Sequence, residues 1–209
     1  VIGFVVFIPR PHSTVIHKWL DDARLATGTC VLDLCAGSGA IGLAIARRRP
    51  DLRVTCVEFE DVAVHYLKRN IARLATHDVH VNAMQADIRE TPAFAGFKHQ
   101  VGLIVANPPY VPRQTQLQPE WGSHHPSAAV YSGADGLDLT RHIIALASTL
   151  LTPEGWLVIE HGEDQAFAVR ELFQQHHLLD VSTVIDRESS DTTGTSVMTV
   201  GRLSNAVQA

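Results

Sequence analysis

At 209 residues, with 45% apolar and 19% charged side chains, the chain has the size and composition of a single folded domain with a substantial core. A net charge of −5, with 17 lysines and arginines in all, supplies no broad basic surface and argues against duplex nucleic acid as the main partner. Three cysteines without Cys-x-x-Cys spacing are expected to be reduced thiols of a cytoplasmic protein, twelve histidines lack the spacing of a metal site, and no apolar run approaches the ~20 residues of a membrane-spanning helix.

Phe4 to Ile8 reads as a short strand closed by Pro9-Arg10-Pro11. Ser13 or Thr14 can cap a helix with the apolar face Val15, Ile16, Trp19, Leu20 and Ala23, which Thr27-Gly28 ends. Cys30 to Leu34 is a buried strand, followed by a glycine turn and a small-residue helix from Ala40 to Arg48. Arg53 to Val57 is a second strand ending in Glu58, and Asp61 opens a helix through Leu74. Val79 to Met84 and Val101 to Ala106 are the third and fourth strands, with a loop or short helix around Pro92 to Gly96 between them. The polar connection from Val111 to about Asp135 is long for a compact domain, which points to function. A strongly amphipathic helix over Leu137 to Leu151 leads through the turn Pro153-Glu154-Gly155 into a strand at Trp156 to Ile159. A helix from Gln165 to Gln175 precedes two closing strands near Leu179 to Ile185 and Ser196 to Val200.

Alternating strands and helices predict a mostly parallel α/β sheet, with the last two strands as an antiparallel hairpin. In such a sheet ligands sit at the carboxyl ends of the strands, where Asp33, Glu58, Asp87 and Asn107 all fall. Gly37-Ser38-Gly39-Ala40-Ile41-Gly42 fits G-x-G-x-x-G, in which glycines let the backbone turn tightly against a ligand at a helix N-terminus. A nicotinamide dinucleotide is one candidate. Against it, a carboxylate at Asp33 would repel a pyrophosphate and attract an ammonium or sulfonium, and the chain carries no hydride-transfer site downstream.

The fourth strand runs instead into Asn107-Pro108-Pro109-Tyr110. Neither proline has an N–H, both have φ fixed at about −65°, and Pro109 keeps Pro108 out of the helical region. Taken alone, this stiff corner is either a strand terminator or an acceptor-rich seat for an N–H2 group.

Asp33-Leu34-Cys35-Ala36-Gly37-Ser38-Gly39 resembles the first motif of class I S-adenosylmethionine-dependent methyltransferases. The resemblance implies a Rossmann-like α/β fold, with helices on both faces of a mostly parallel twisted sheet, and S-adenosyl-L-methionine as cofactor. It implies that Glu58 accepts hydrogen bonds from the ribose hydroxyls and that Asp87 meets the adenine amino group. Phe7, Pro9, Cys35, Ala36, Gly37, Gly39, Phe59, Ile88 and Asn107 complete the implied cofactor contacts with Asp33.

With that cofactor, Asn107-Pro108-Pro109-Tyr110 resembles the (N/D)PPY motif of enzymes that methylate amino or amide nitrogen. Asn107 Oδ1 and the Pro108 carbonyl would accept both N–H bonds, and Tyr110 would form a wall for the planar amide. Arg10 and Pro109 join them as substrate contacts. No dedicated base is needed, because a methylated amide cation sheds its proton readily.

Phe7-Ile8-Pro9-Arg10-Pro11, the cofactor motif, Asn107-Pro108-Pro109-Tyr110-Val111 and Gly133-Ala134-Asp135-Gly136-Leu137, in that order, are similar to the HemK family. These are protein-(glutamine-N5) methyltransferases of the Gly-Gly-Gln glutamine in peptide chain release factors, so the resemblance implies a release factor as protein partner. The family also carries an N-terminal helical domain that is not among these residues, so the sequence is expected to be either a piece of a longer protein or a shorter member, with residues 1–28 a strand and helix linking to that absent domain and 29–209 the methyltransferase domain. A monomer is expected. The chain departs from the family at His12-Ser13-Thr14, where acid-Thr-Glu is usual, and at His125, where an acid precedes Pro126. Glu160-His161-Gly162 stands for Glu-Ile-Gly, and Asp186 to Asp191 lacks the Gly-Arg-Asp-Arg pattern. An adenine-N6 methyltransferase, a small-molecule amine methyltransferase and a non-catalytic binding module are the alternatives.

Overall fold

The computed structural model describes residues 10–74, 78–115, 129–191 and 194–205. The strand expected at Phe4 to Ile8, with Phe7 and Pro9, lies outside the described residues, as do His125 and Pro126.

Among the described residues one sheet of seven strands organises the fold: β1 (Cys30–Leu34), β2 (Arg53–Glu58), β3 (His80–Gln85), β4 (Val101–Ala106), β5 (Leu151–Glu160), β6 (Leu178–Asp191) and β7 (Gly194–Leu203). Their order is β3-β2-β1-β4-β5-β7-β6. The first five are mutually parallel, while β7 runs antiparallel to both β5 and β6. This is the mostly parallel sheet with a closing antiparallel hairpin that the element pattern predicts.

The connecting helices are α1 (Thr14–Asp22), α2 (Ala40–Arg48), α3 (Asp61–Leu74), α4 (Asp138–Leu150) and α5 (Ala166–Gln175). Strand residues alternate between two buried faces, which is why β4, and β1 up to Asp33, read as continuous apolar runs. Val31, Leu103 and Val105 join Ile16 and Leu20 of α1, Ile45 of α2 and Leu67 of α3 on one face. Leu32, Leu34, Ile104 and Ala106 join Ile143 and Ala147 of α4 and Val169 and Phe173 of α5 on the other.

Three local readings change. The helix expected to run through Leu151 stops at Leu150, and Pro153-Glu154-Gly155 lies inside β5 rather than before it. Val101 pairs with Leu151 but Leu103 with Trp156, so the turn residues form a wide bulge in a continuing strand, with Glu154 at φ 65°. The closing strands are longer than their apolar stretches because pairing continues through polar residues at the sheet edge. Ser13 does occupy the N-cap position of α1, but at φ −67°, ψ −4° its hydroxyl makes no capping bond and is used elsewhere.

Candidate active site

The strand order fixes where the polar residues meet. From β1 the chain moves outward through β2 and β3, then returns to place β4 on the other side of β1. That reversal opens a crevice at the carboxyl ends of β1 and β4. Asp33 lies beside Val105 in the ladder and Leu34 beside Ala106, so Asp33 and Asn107 end neighbouring strands. Glu58 ends β2, and Asp87 follows β3.

Asp33 is fully buried. Its Oδ2 accepts the Gly42 N–H at 2.8 Å, so it takes up one of the free donors in the first turn of α2. Its Oδ1 has no hydrogen-bond partner among the described residues. Burial above all, with the nearby charge of Glu58, raises its pKa to about 7 against the pull of the Gly42 N–H. A Cβ at Gly42 would sit 2.4 Å from Cys56 Sγ and 2.8 Å from Asp33 Oδ2, so the last glycine of the motif lets the helix close on the strand.

The turn between β1 and α2 is left-handed at three residues: Cys35 (φ 60°), Gly37 (φ 56°) and Gly39 (φ 91°). At Cys35 a side chain sits in a conformation that suits glycine and costs about 1–2 kcal/mol for other residues. Burial and the carboxylates of Glu58, Asp33 and Asp87 push its thiol well up, which makes it a poor nucleophile. Glu58 braces the turn: Oε2 accepts the Gly37 N–H at 2.7 Å, and Oε1 accepts those of Phe59 and Glu60 at 2.8 and 2.9 Å.

Asp87 is held by Arg89 through Nε and Nη2, the latter 2.5 Å away, which keeps its pKa below the usual carboxylate range. The same guanidinium lies 5.9 Å from the centroid of the exposed Phe59 ring, while Ile88 is buried. Asp87, Phe59 and the cationic Arg89 thus share one rim of the crevice.

On the β4 side, Asn107 Nδ2 donates to Ser13 Oγ at 3.3 Å, and Ser13 Oγ donates to Glu160 Oε2 at 2.6 Å. Ser13 and Glu160 are both buried, and burial raises Glu160 to about 7 despite the Ser13 bond. Burial foremost, then the charge of Glu160, raises the Tyr110 hydroxyl, with Arg10 opposing. The Tyr110 carbonyl accepts from Gln165 Nε2 at 2.8 Å; the same amide group donates to the Asp135 carbonyl at 3.0 Å, and Gln165 Oε1 accepts the Gly162 N–H at 2.9 Å. Val111 bridges Tyr131, and Gly136, at φ 79°, passes so close to the Tyr110 carbonyl that a Cβ would stand 2.1 Å from it. The Gly133 to Leu137 motif is therefore the support of the Pro-Pro-Tyr corner. Ser13, Glu160 and Gln165 are absent from the sequence-derived site; for Glu160 the signal was available, an acid closing an apolar strand as Glu58 does.

The family model of the Methyltransferase small domain matches residues 13–120. The release factor glutamine methyltransferase of Xylella fastidiosa (strain 9a5c) is 37% identical over 207 residues, which cover 97% of this chain and 70% of that one. The chain belongs to the release factor glutamine methyltransferase family. Family members from Streptomyces coelicolor and Mycolicibacterium smegmatis are 37% and 34% identical over 83% and 82% of this chain. Those matches cover 61% and 59% of the two proteins, so the chain spans about three fifths of their length. Among solved structures, the hMettl16 catalytic domain in complex with the MAT2A 3'UTR hairpin 6 superposes with a TM-score of 0.70 at 15% identity, over 98% of this chain and 74% of that one. TrmN from Thermus thermophilus gives 0.60 at 21% identity, over 92% and 48%. These likenesses show that the family fold is shared with other methyltransferases. Among the described residues no helix is long and apolar enough to cross a membrane.

Proposed function

We propose that the chain is an S-adenosylmethionine-dependent methyltransferase acting on the side-chain amide nitrogen of a protein glutamine, the Gly-Gly-Gln glutamine of peptide chain release factors. The reading is carried by Asn107, which follows β4 where that strand pairs with β1 and Asp33, and whose Nδ2 is turned to Ser13.

The residues present fit that cofactor. A buried carboxylate oxygen without a partner suits a cationic ligand, and a Cβ at Gly37 would meet nothing within 4 Å, so the turn is open on that side. Bound there, S-adenosylmethionine supplies a sulfonium methyl that is already strongly electrophilic. Asp33 would hold its ammonium, Glu58 its ribose hydroxyls and Asp87 its adenine amino group. Phe59 and Ile88 are assigned to the base, and Cys35, Ala36, Gly37 and Gly39 to the backbone cradle; Phe7 and Pro9, outside the described residues, are further proposed cofactor contacts.

On the substrate side an amide nitrogen is a weak nucleophile because its lone pair is delocalised. Asn107 Oδ1 and the Pro108 carbonyl would accept its two N–H bonds and stabilise the positive charge that grows on nitrogen, which lowers the barrier rather than merely tightening binding. Tyr110, whose raised pKa keeps it neutral, would offer its ring as a wall, with Pro109 and Arg10 completing the contact. Residues 1–28 are read as a lead-in and 29–209 as the methyltransferase domain, acting as a monomer in the cytoplasm.

Transfer of radiolabelled methyl is to be measured on release factor, on a Gly-Gly-Gln peptide and on duplex DNA. Label on the first two is expected; labelled DNA with unlabelled protein overturns the assignment. Asn107→Ala is expected to lose about 100-fold or more in methyl transfer while retaining cofactor affinity by calorimetry. Loss of cofactor binding would show that the roles are divided wrongly.

A further inference from the structure

An asparagine can clamp an N–H2 group only if its oxygen faces the substrate, and its two ends are nearly equal in size. We propose that Ser13 and Glu160 form a positioning relay that dictates which end of the Asn107 amide faces the site, an inference that rests on the amide-clamp reading above.

A serine hydroxyl has one proton to donate, and a carboxylate can only accept. With Glu160 ionised, that proton lies on the 2.6 Å bond from Ser13 Oγ to Glu160 Oε2. Ser13 Oγ is left with lone pairs alone towards Asn107, and the group it meets at 3.3 Å is Nδ2, a donor. Turning the amide over would set Oδ1 against those lone pairs, acceptor against acceptor. Ser13 is 8% exposed and Glu160 2%, so the mismatch would fall on a buried hydroxyl, where an unmet polar contact is costly. Because the amide is planar and trigonal at carbon, Nδ2 on Ser13 turns Oδ1 away from it. The relay is itself anchored: Ser196 Oγ of β7 donates to the His12 carbonyl at 2.5 Å, fixing the backbone next to Ser13. Neither Ser13 nor Glu160 touches the reacting nitrogen; both act through Asn107.

Three variants test the relay at about pH 8.5, above the raised value of about 7 for Glu160. Ser13→Ala is expected to lower kcat on the Gly-Gly-Gln peptide by about 10–100-fold with KM and cofactor affinity little changed, since misorienting a positioned group acts on the reactive geometry. Ser13→Thr keeps the hydroxyl and should recover most of kcat. Glu160→Gln can donate to Ser13, releasing its proton towards Asn107 and admitting both amide orientations, so kcat should fall here also. A second readout needs no substrate: the Asn107 side-chain N–H2 resonance, assigned by its absence in Asn107→Asp, should move in Ser13→Ala and Glu160→Gln but stay in Ser13→Thr. If the resonance ignores both changes, or Ser13→Ala turns over like the parent protein, the relay is wrong. If the parent protein instead labels an amino group of another substrate, the glutamine reading fails alone, and the resonance still decides the relay.

Discussion

Asp33 keeps its proton unusually late for a carboxylic acid, to about 7, and Glu160 does the same. In the unfolded chain both would ionise near their ordinary values of 3.8 and 4.5. Between those values and about 7 the folded protein holds protons that the unfolded chain has released, so these two groups make stability fall as pH rises through that window. His17 and His161, whose pKa values burial lowers, work in the other direction near their ordinary 6.5. The decisive quantity is therefore a difference. Urea midpoints of the parent protein and Asp33→Asn, compared from about pH 5 to about pH 7.5, should show the variant gaining relative stability as pH rises, and parallel profiles would contradict the burial argument. Asp51 and Asp135, held near 2 by Arg49 and Arg141, respond only in more acid solution. With the cofactor's ammonium beside Asp33, as proposed above, binding should release protons at about pH 6, because a neighbouring cation favours the ionised form; calorimetry in buffers of different ionisation enthalpy reads this directly.

At the scale of elements, the short turn Glu163–Gln165 between β5 and α5 carries more than its length suggests. Gln165 alone joins the Tyr110 carbonyl, the Asp135 carbonyl and the Gly162 N–H, so one buried amide ties three segments together. Gln165→Glu would turn a carboxylate oxygen towards two carbonyl oxygens. That variant should be destabilised by a few kcal/mol at about pH 8 and recover part of the loss at about pH 5, where the acid can protonate and donate again. An unchanged thermal midpoint at about pH 8 would remove Gln165 from its supporting role. This element also marks how far the sequence is readable. The strands and the groups at their ends follow from local apolar runs that stop at Asp33, Glu58 and Asn107, each visible within a few residues. Ser13, Glu160 and Gln165 depend on partners in distant segments, and local pattern assigns Ser13 to a helix cap that it does not make. Pro153-Glu154-Gly155 misleads for a similar reason: turn residues signal a break, but a neighbouring strand can carry the ladder past them.

Across the whole molecule, five adjacent parallel strands end on the same side, and Asp87, Glu58, Asp33, Asn107 and Glu160 stand at or just beyond those ends. The arrangement needs the leading segment as much as the sheet. α1 buries Val15, Ile16 and Leu20 against the same face as α2, and Lys18 ties it to Asp186 of β6 at 2.7 Å. Each of those three side chains contributes about 1.5–3 kcal/mol, together comparable with the 5–15 kcal/mol that holds a typical domain folded. A chain begun at Thr29 is therefore expected to lose its near-ultraviolet circular dichroism and bind a hydrophobic dye, even though it keeps β1 to β7. A cooperative melt like that of the full chain would show that α1 is dispensable.

The bond from Ser13 to Glu160 spans 147 positions of the chain, and the bond from Asn107 to Ser13 spans 94. Synthesis proceeds from the amino end, so the asparagine is made well before the carboxylate that aims it. A nascent chain that has reached β4 already has the acids and the amide in order along its length. On the proposed relay it acquires a direction for that amide only once β5, which carries Glu160, has been made and has docked, so a chain ended before β5 would hold the amide without its aim.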